Sequence, residues 1–216
     1  MKYELVVFDW DGTLLDSAGA IVRAIQASCR DLDLPVPDDA RARHVIGLGL
    51  ADALRHAVPD LPPDGTQAMI ERYRFHYLSG DQSLTLFDGV PEMLERLKAA
   101  GHLLAVATGK SRVGLERAFD HSGLRPLFMA SRCADECHSK PHPQMLQELM
   151  AEFGVSAEST VMIGDTSHDL LMATNAGVSS LAVTYGAHPH DHLLDHKPLA
   201  CLHSVKEVAR WLQDHA

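Results

Sequence analysis

Two aspartates one residue apart, Asp9 and Asp11, end a short apolar run, and Gly12 and Thr13 follow directly. Three other segments gather similar residue types: Thr108-Gly109-Lys110, Ser139-Lys140-Pro141, and Gly164-Asp165 with Asp169 four residues on. A carboxylate can attack as a nucleophile, carry a proton, or hold a hard cation. A hydroxyl and an unobstructed glycine N–H can bind an anion, and a lysine can neutralise one. Taken singly, each segment also reads as a capped helix start or a turn, where Asp, Thr and Gly are favoured. Their recurrence at comparable places along the chain favours chemistry.

Those places are defined by the elements around them. Leu5-Val6-Val7-Phe8 is a continuous apolar run of the kind that forms a buried parallel strand. Residues 103–107, 161–163 and 180–183 read the same way. Between them lie helical patterns. Val90, Met93, Leu94 and Leu97 recur at helical spacing, with Pro91 in the first turn and Gly101 after the last. Ser204 and Glu207 form a capping-box pattern before Val205, Val208 and Leu212. Strand–helix alternation over 83–216 predicts an α/β fold, a Rossmann-like doubly wound parallel sheet. In such sheets ligands bind beyond the carboxyl ends of the strands, where three of the four polar segments fall. Residues 18–82 differ. Ile21, Ala24, Ile25 and Leu32 suggest one helix, and Met69, Ile70, Tyr73 and Tyr77 another. Pro35, Pro37, Pro59, Pro62 and Pro63 punctuate the stretch. The expected organisation is an α/β core of residues 1–17 and 83–216 with an inserted all-helical domain of residues 18–82.

The four motifs in this order resemble those of the haloacid dehalogenase superfamily of phosphohydrolases, over the whole chain. Asp9-x-Asp11-Gly12-Thr13-Leu14 and Gly164-Asp165-x-x-x-Asp169 are the most specific. The helical stretch resembles the cap of the phosphoglycolate phosphatase and β-phosphoglucomutase branch, and Phe87-Asp88-Gly89-Val90-Pro91 its return into the core. Trp10 is a less common residue between the two aspartates. The resemblance implies that Asp9 forms an aspartyl-phosphate and that Asp11 protonates the leaving oxygen and later deprotonates water. Thr108 and the Gly109 N–H would hold phosphoryl oxygens, and Lys140 would neutralise nucleophile and phosphate together. Mg²⁺ would be held by Asp9, the Asp11 carbonyl and Asp165, with Asp169 close to the metal or reaching it through water. Metal-free dehalogenases lack the second aspartate of the first motif, so Asp11, Asp165 and Asp169 favour phosphoryl transfer.

Weaker signals carry two readings each. Lys110 and Arg112 could meet the substrate or form a solvated helix start. Gly47-Leu48-Gly49 resembles the branch's substrate-facing cap loop and also reads as a helix–helix turn. Arg41, Arg43, His44, Arg72 and Arg74 offer cations for a substrate anion without singling one out. His188, His190, His192 and His196 could ligate zinc or nickel, or be a loop entering a short helix. Cys133 and Cys137 could form a redox pair or be two inert thiols.

The bulk numbers limit the classes. Nineteen basic residues against twenty-nine acidic ones give −10, a field that repels nucleic acid and anionic membranes. An anionic substrate therefore needs a local positive site. No apolar run is long enough to span a bilayer, the N-terminus lacks a signal-peptide pattern, and four cysteines make no disulfide framework. The expected setting is cytoplasmic, as monomer or homodimer. The expected activity is Mg²⁺-dependent hydrolysis of a small phosphorylated metabolite, with phosphoglycolate the leading substrate on family resemblance. Rivals are a sugar-phosphate mutase of the same branch, a catalytically idle binding protein, and a metal or redox module. A phosphonate hydrolase would need a cap lysine, and residues 18–82 contain none.

Overall fold

The computed structural model describes residues 2–216, apart from the side chain of Gln82. Its centre is a six-stranded, all-parallel sheet. In chain order the strands are β1 (Leu5–Phe8), β2 (Leu103–Thr108), β3 (Ala130–Cys133), β4 (Thr160–Gly164), β5 (Ser179–Val183) and β6 (Cys201–Leu202). Their spatial order is β3-β2-β1-β4-β5-β6. Phe8 lies level with Val106 of β2 on one side and Ile163 of β4 on the other. Helices α5 (Val90–Ala99), α6 (Arg112–Ser122), α7 (Gln144–Phe153), α8 (Ser167–Ala176), α9 (His190–Leu194) and α10 (Val205–His215) connect and follow the strands. The four expected strands are present with residues buried on both faces, which is why they read as unbroken apolar runs.

Two core clusters sandwich the sheet. Val6, Phe8, Leu104, Val106 and Ile163 pack with α5, α6 and α10 on one face. Leu5, Val7, Ala105, Ala107 and Met162 pack with α7 and α8 on the other. Strand residues of alternate parity supply the two faces, as the period of two requires. The helical face of α5 is buried at Val90, Met93, Leu94 and Leu97, as its spacing predicts. At α10, Ser204 Oγ accepts from the Glu207 N–H at 3.2 Å, while Glu207 Oε2 accepts from His203 N–H rather than from Ser204. Only half of the expected capping box forms.

Between β1 and α5 lie α1 (Ala18–Asp31), α2 (Asp39–His44), α3 (Leu50–Ala57) and α4 (Thr66–Leu78), with no strand of the sheet among the described residues. The sequence predicts α1 and α4; α2 and α3 are too short to show a period. These helices bury their own apolar cluster, including Ile25, Cys29, Val45, Leu54 and Met69. The two connections to this unit run side by side: Asp16 N–H donates to Thr85 O at 3.0 Å and Phe87 N–H to Leu14 O at 3.0 Å. Among the described residues, no helix is long and apolar enough to cross a membrane.

Candidate active site

β1 lies between β2 and β4, so the chain leaves the sheet centre in opposite directions on its two sides. That reversal opens a crevice at the carboxyl ends of the strands. Asp9 is the first residue after β1, Asp165 the first after β4, and Thr108 the last of β2. All three are fully buried. Lys140 reaches them from the segment between β3 and α7, and its Nζ donates to Asp9 Oδ1 and to Asp169 Oδ1, each at 2.6 Å. Asp169 projects from the first turn of α8, and its Oδ2 accepts from the N–H of Thr166 at 3.1 Å and its hydroxyl at 2.7 Å. Gly164 makes this possible: a Cβ there would sit 2.3 Å from Asp169 Cβ. Asp165 accepts from Thr13 Oγ1 at 2.8 Å and from the Ala187 N–H at 2.7 Å.

The electrostatics ask for another cation. Asp9, Asp165 and Asp169 bring carboxylate oxygens within 4.8 Å of one another. Three carboxylates against the one ammonium of Lys140 leave two negative charges in a fully buried site. Burial pushes the Asp9 carboxyl well above its ordinary value; Lys140 opposes this, and Asp169 and Asp165 add to it. Burial and then Asp169 push Asp165 up to about 7, against the Ala187 N–H and the Thr13 hydroxyl. Burial alone would lower Lys140, but Asp169 and Asp9 outweigh it and hold the ammonium above its ordinary value. Asp9 Oδ2 is buried without a hydrogen-bond partner. A divalent ion accepting hard oxygen ligands matches both the residual charge and the free lone pairs. Asp9, Asp165 and Asp169 are the carboxylates close enough to share it. Asp165 and Asp169 have both oxygens engaged by hydrogen bonds, Asp9 keeps Oδ2 free, and Asp169 also positions Lys140.

Asp11 stands apart from this cluster. Ser17 Oγ donates to its Oδ1 at 2.7 Å, and Lys110 Nζ lies 3.0 Å from its Oδ2. Lys110 also donates to the Tyr77 hydroxyl at 3.1 Å. Its ammonium is thus directed at Asp11 and the helical unit, and the Lys110 N–H donates to Thr108 Oγ1 at 3.2 Å. Trp10 points away from the site: its indole is fully buried against Phe119, with ring centroids 5.2 Å apart, and Phe128. Arg112 pairs with Glu136 at 2.7 Å and Glu116 at 3.3 Å, which makes it part of a surface ion-pair network.

The helical unit closes on the crevice through the loop after α2. Gly49 N–H donates to Ser139 Oγ at 2.7 Å, next to Lys140. A Cβ on Gly109 would lie 2.4 Å from Leu48 O and 2.6 Å from Gly47 O. Gly47, Gly49, Gly109 and Lys110 line one cavity with Asp9, Asp11 and Thr108. The histidines form a second contact. His188 and His168 both reach His44 O, through Nε2 at 3.1 and 2.7 Å. His188 Nδ1 accepts from the Ser167 N–H at 3.0 Å. His44, His188 and His192 bring ring nitrogens within 4.8 Å of one another. Both nitrogens of His188 are already engaged, so the group works as a hydrogen-bonded strut, and burial and His168 push His188 down to about 4. His190 and His192 lie in the short helix α9, and His196 just after it.

Cys133 ends β3 and Cys137 follows in a turn, both as free thiols. Burial pushes them up to about 12 and about 11, which suits inert thiols. Sequence reasoning did not single out Ser17, Thr166 or the Ala187 N–H, which orient Asp11, Asp169 and Asp165.

A family model of haloacid dehalogenase-like hydrolases matches residues 6–183. The chain is 37% identical to the probable phosphatase IndB of Dickeya dadantii, over 94% of this chain and 91% of that protein. It is 31% identical to a 5′-nucleotidase of Pseudomonas aeruginosa, over 100% and 98% of the two chains. It is also 31% identical to a phosphoglycolate phosphatase of Colwellia psychrerythraea, over 95% of each. Among solved structures, a predicted phosphoglycolate phosphatase of Haemophilus somnus superposes with a TM-score of 0.87 at 27% identity, over 99% of both chains. The chain belongs to the haloacid dehalogenase-like hydrolase family, and it is one of that family's phosphatases.

Proposed function

We propose that this phosphatase is Mg²⁺-dependent and hydrolyses a small organic phosphate monoester through an aspartyl-phosphate on Asp9. One observation carries the reading: a buried carboxylate at the sheet's switch point keeps one oxygen free of hydrogen bonds, while Lys140 holds the other at 2.6 Å. Asp9 attacks phosphorus, and the bond from phosphorus to the leaving oxygen breaks. Asp11, in the same cavity, gives that oxygen its proton. Asp11 then takes a proton from water as water displaces Asp9 and releases phosphate. Thr108 and the Gly109 N–H bind phosphoryl oxygens, and Lys140 offsets the charge on nucleophile and phosphate. Bound to Asp9, the Asp11 carbonyl and Asp165, Mg²⁺ would supply charge neutralisation at the phosphoryl group.

Residues 1–17 and 83–216 form the catalytic core in this reading. Residues 18–82 form a cap whose Gly47–Gly49 loop docks beside Thr108 and excludes water. The cytoplasm is the proposed compartment, supported by four unpaired cysteines. Phosphoglycolate is the first substrate to test, on the strength of the named relatives.

The test is release of 4-nitrophenol from 4-nitrophenyl phosphate. Turnover should require Mg²⁺ and stop in EDTA. Asp9→Asn should lower kcat by at least about 10⁴-fold with an unchanged circular dichroism spectrum. An Asp9→Asn enzyme with near-full activity would remove Asp9 as nucleophile.

A further inference from the structure

The cavity that holds the reacting groups extends well past them along the helical unit. Its volume is about 960 Å³, even with the loop after α2 docked on Ser139. That is the upper end of the roughly 300–1,000 Å³ range of pockets that enclose drug-sized ligands. A two-carbon acid would leave most of it filled with water. The helical unit lines it with Leu48, Leu50, Ile70 and Leu78, which keep part of their surface free of the unit's own core. Tyr73 and Tyr77 present two rings stacked at 5.7 Å and 13°. Burial pushes both phenols above their ordinary range, so they stay neutral.

The charges around this space are poorly suited to a second anion. Among the described residues its cationic lining is Lys110, Arg117 and Arg74. Lys110 lies 3.0 Å from Asp11, and Arg117 lies 2.7 Å from Asp81. Arg74 is exposed to solvent. Beyond Asp9 and Asp11, the lining adds Asp52, Asp81, Asp120 and Asp135. Phosphoglycolate carries a carboxylate on the carbon bonded to its ester oxygen. That group would be set close to Asp11, in a lining whose carboxylates outnumber its cations, a field that disfavours a second anion.

We infer that the preferred substrate is the phosphate monoester of an uncharged, ring-bearing alcohol of nucleoside size, whose ring lies against Tyr73 and Tyr77 and the apolar wall of the helical unit. The inference rests on the phosphatase reading and changes its substrate. Aromatic side chains stack on flat heterocycles with little dependence on the ring's identity, so the geometry selects a class and not one base.

The experiment measures free phosphate released with Mg²⁺ from uridine 5′-monophosphate, adenosine 5′-monophosphate, glycerol 3-phosphate and phosphoglycolate. At least one nucleotide should exceed phosphoglycolate in kcat/KM by about tenfold or more, the order that stacking one base supplies. Tyr73→Leu should lower the ratio of nucleotide to glycerol 3-phosphate kcat/KM at least fivefold, and Tyr73→Phe should restore it. Phosphoglycolate turned over as well as or better than both nucleotides would overturn the inference while leaving the phosphatase reading intact. So would a ratio indifferent to Tyr73→Leu. Absence of turnover on all four esters, with folded protein and Mg²⁺ present, would overturn both.

Discussion

The carboxyl end of the sheet and the inner face of the helical unit meet across one cavity, yet they are built on opposite principles. At the sheet end, charges are buried and pinned to one another: Lys140 to Asp9 and Asp169, Asp169 to Thr166, Asp165 to Thr13. On the facing wall most groups are apolar or neutral, with Asp52, Arg74 and Asp81 the charged exceptions, and its polar ties to the core are few. Reaction chemistry needs fixed charges at fixed places, because displacing a reacting group by about 1 Å can cost about 10²-fold in rate. Selection of a leaving group needs a surface of suitable shape, which many apolar residues can make. The first kind of site leaves a sharp mark on a sequence and the second a diffuse one.

The comparison breaks most visibly at Lys140. Replacing it by Met leaves three buried carboxylates without their cation. Loss of one partner from a buried ionic group costs about 3–5 kcal/mol. Denaturant unfolding without metal should show a loss of that order, and kcat should fall about 10²–10³-fold. Saturating Mg²⁺ should recover part of the lost stability, since an ion that binds only the folded state stabilises it by mass action. Equal stability losses with and without Mg²⁺ would separate Lys140 from the metal site.

The same contrast decides what could be read from residues alone. Asp9, Thr108 and Asp165 were legible because each ends a short run buried on both faces. β3 and β6 were not. They are the two edges of the sheet, and Ala130–Cys133 carries Ser131 and Arg132, with Arg132 paired to Glu148 and Glu152 on α7. An edge strand half open to solvent shows no apolar run. Ser17 and Thr166 were overlooked because a hydroxyl beside a helix start reads first as a cap. The Ala187 N–H that holds Asp165 is backbone and carries no side-chain signal. The contact between His44 and His188 joins residues 144 apart, beyond any local pattern.

Gly109 tests the seam between the two regions. Its backbone lies outside the positive-φ set, so alanine fits there locally. Its Cβ would, however, collide with the carbonyls of Gly47 and Leu48. Gly109→Ala should therefore lower the unfolding free energy by about 1–3 kcal/mol, the usual cost of overpacking. The same change should lower kcat/KM by about 10²-fold, because the loop cannot seat beside Thr108. Parent-like activity in Gly109→Ala would mean that the loop need not seat beside Thr108 for turnover.

The histidine strut gives a pH-dependent test of the same seam, and its sign follows from His188. In the folded protein this ring is neutral: Nδ1 accepts from Ser167 and Nε2 donates to His44 O. Burial, with His168 beside it, pushes its pKa from 6.5 down to about 4. Above pH 6.5 neither the folded nor the unfolded chain protonates it, so it adds no pH dependence. Between 6.5 and about 4 the unfolded chain takes up the proton first, and stability falls with pH. At 1.36 kcal/mol for each pKa unit the full loss is about 3 kcal/mol, reached near pH 4. Other carboxylates titrate in the lower part of that window, so the comparison must be made against His188→Gln. Glutamine can still accept from Ser167 and donate to His44 O, but it cannot be protonated. The variant's stability should decline less steeply from pH 6.5 to 4.5 than that of the parent. Equal slopes would mean that the strut opens before it protonates, and that the seam is held by its other contacts, such as Gly49 to Ser139 and Lys110 to Tyr77.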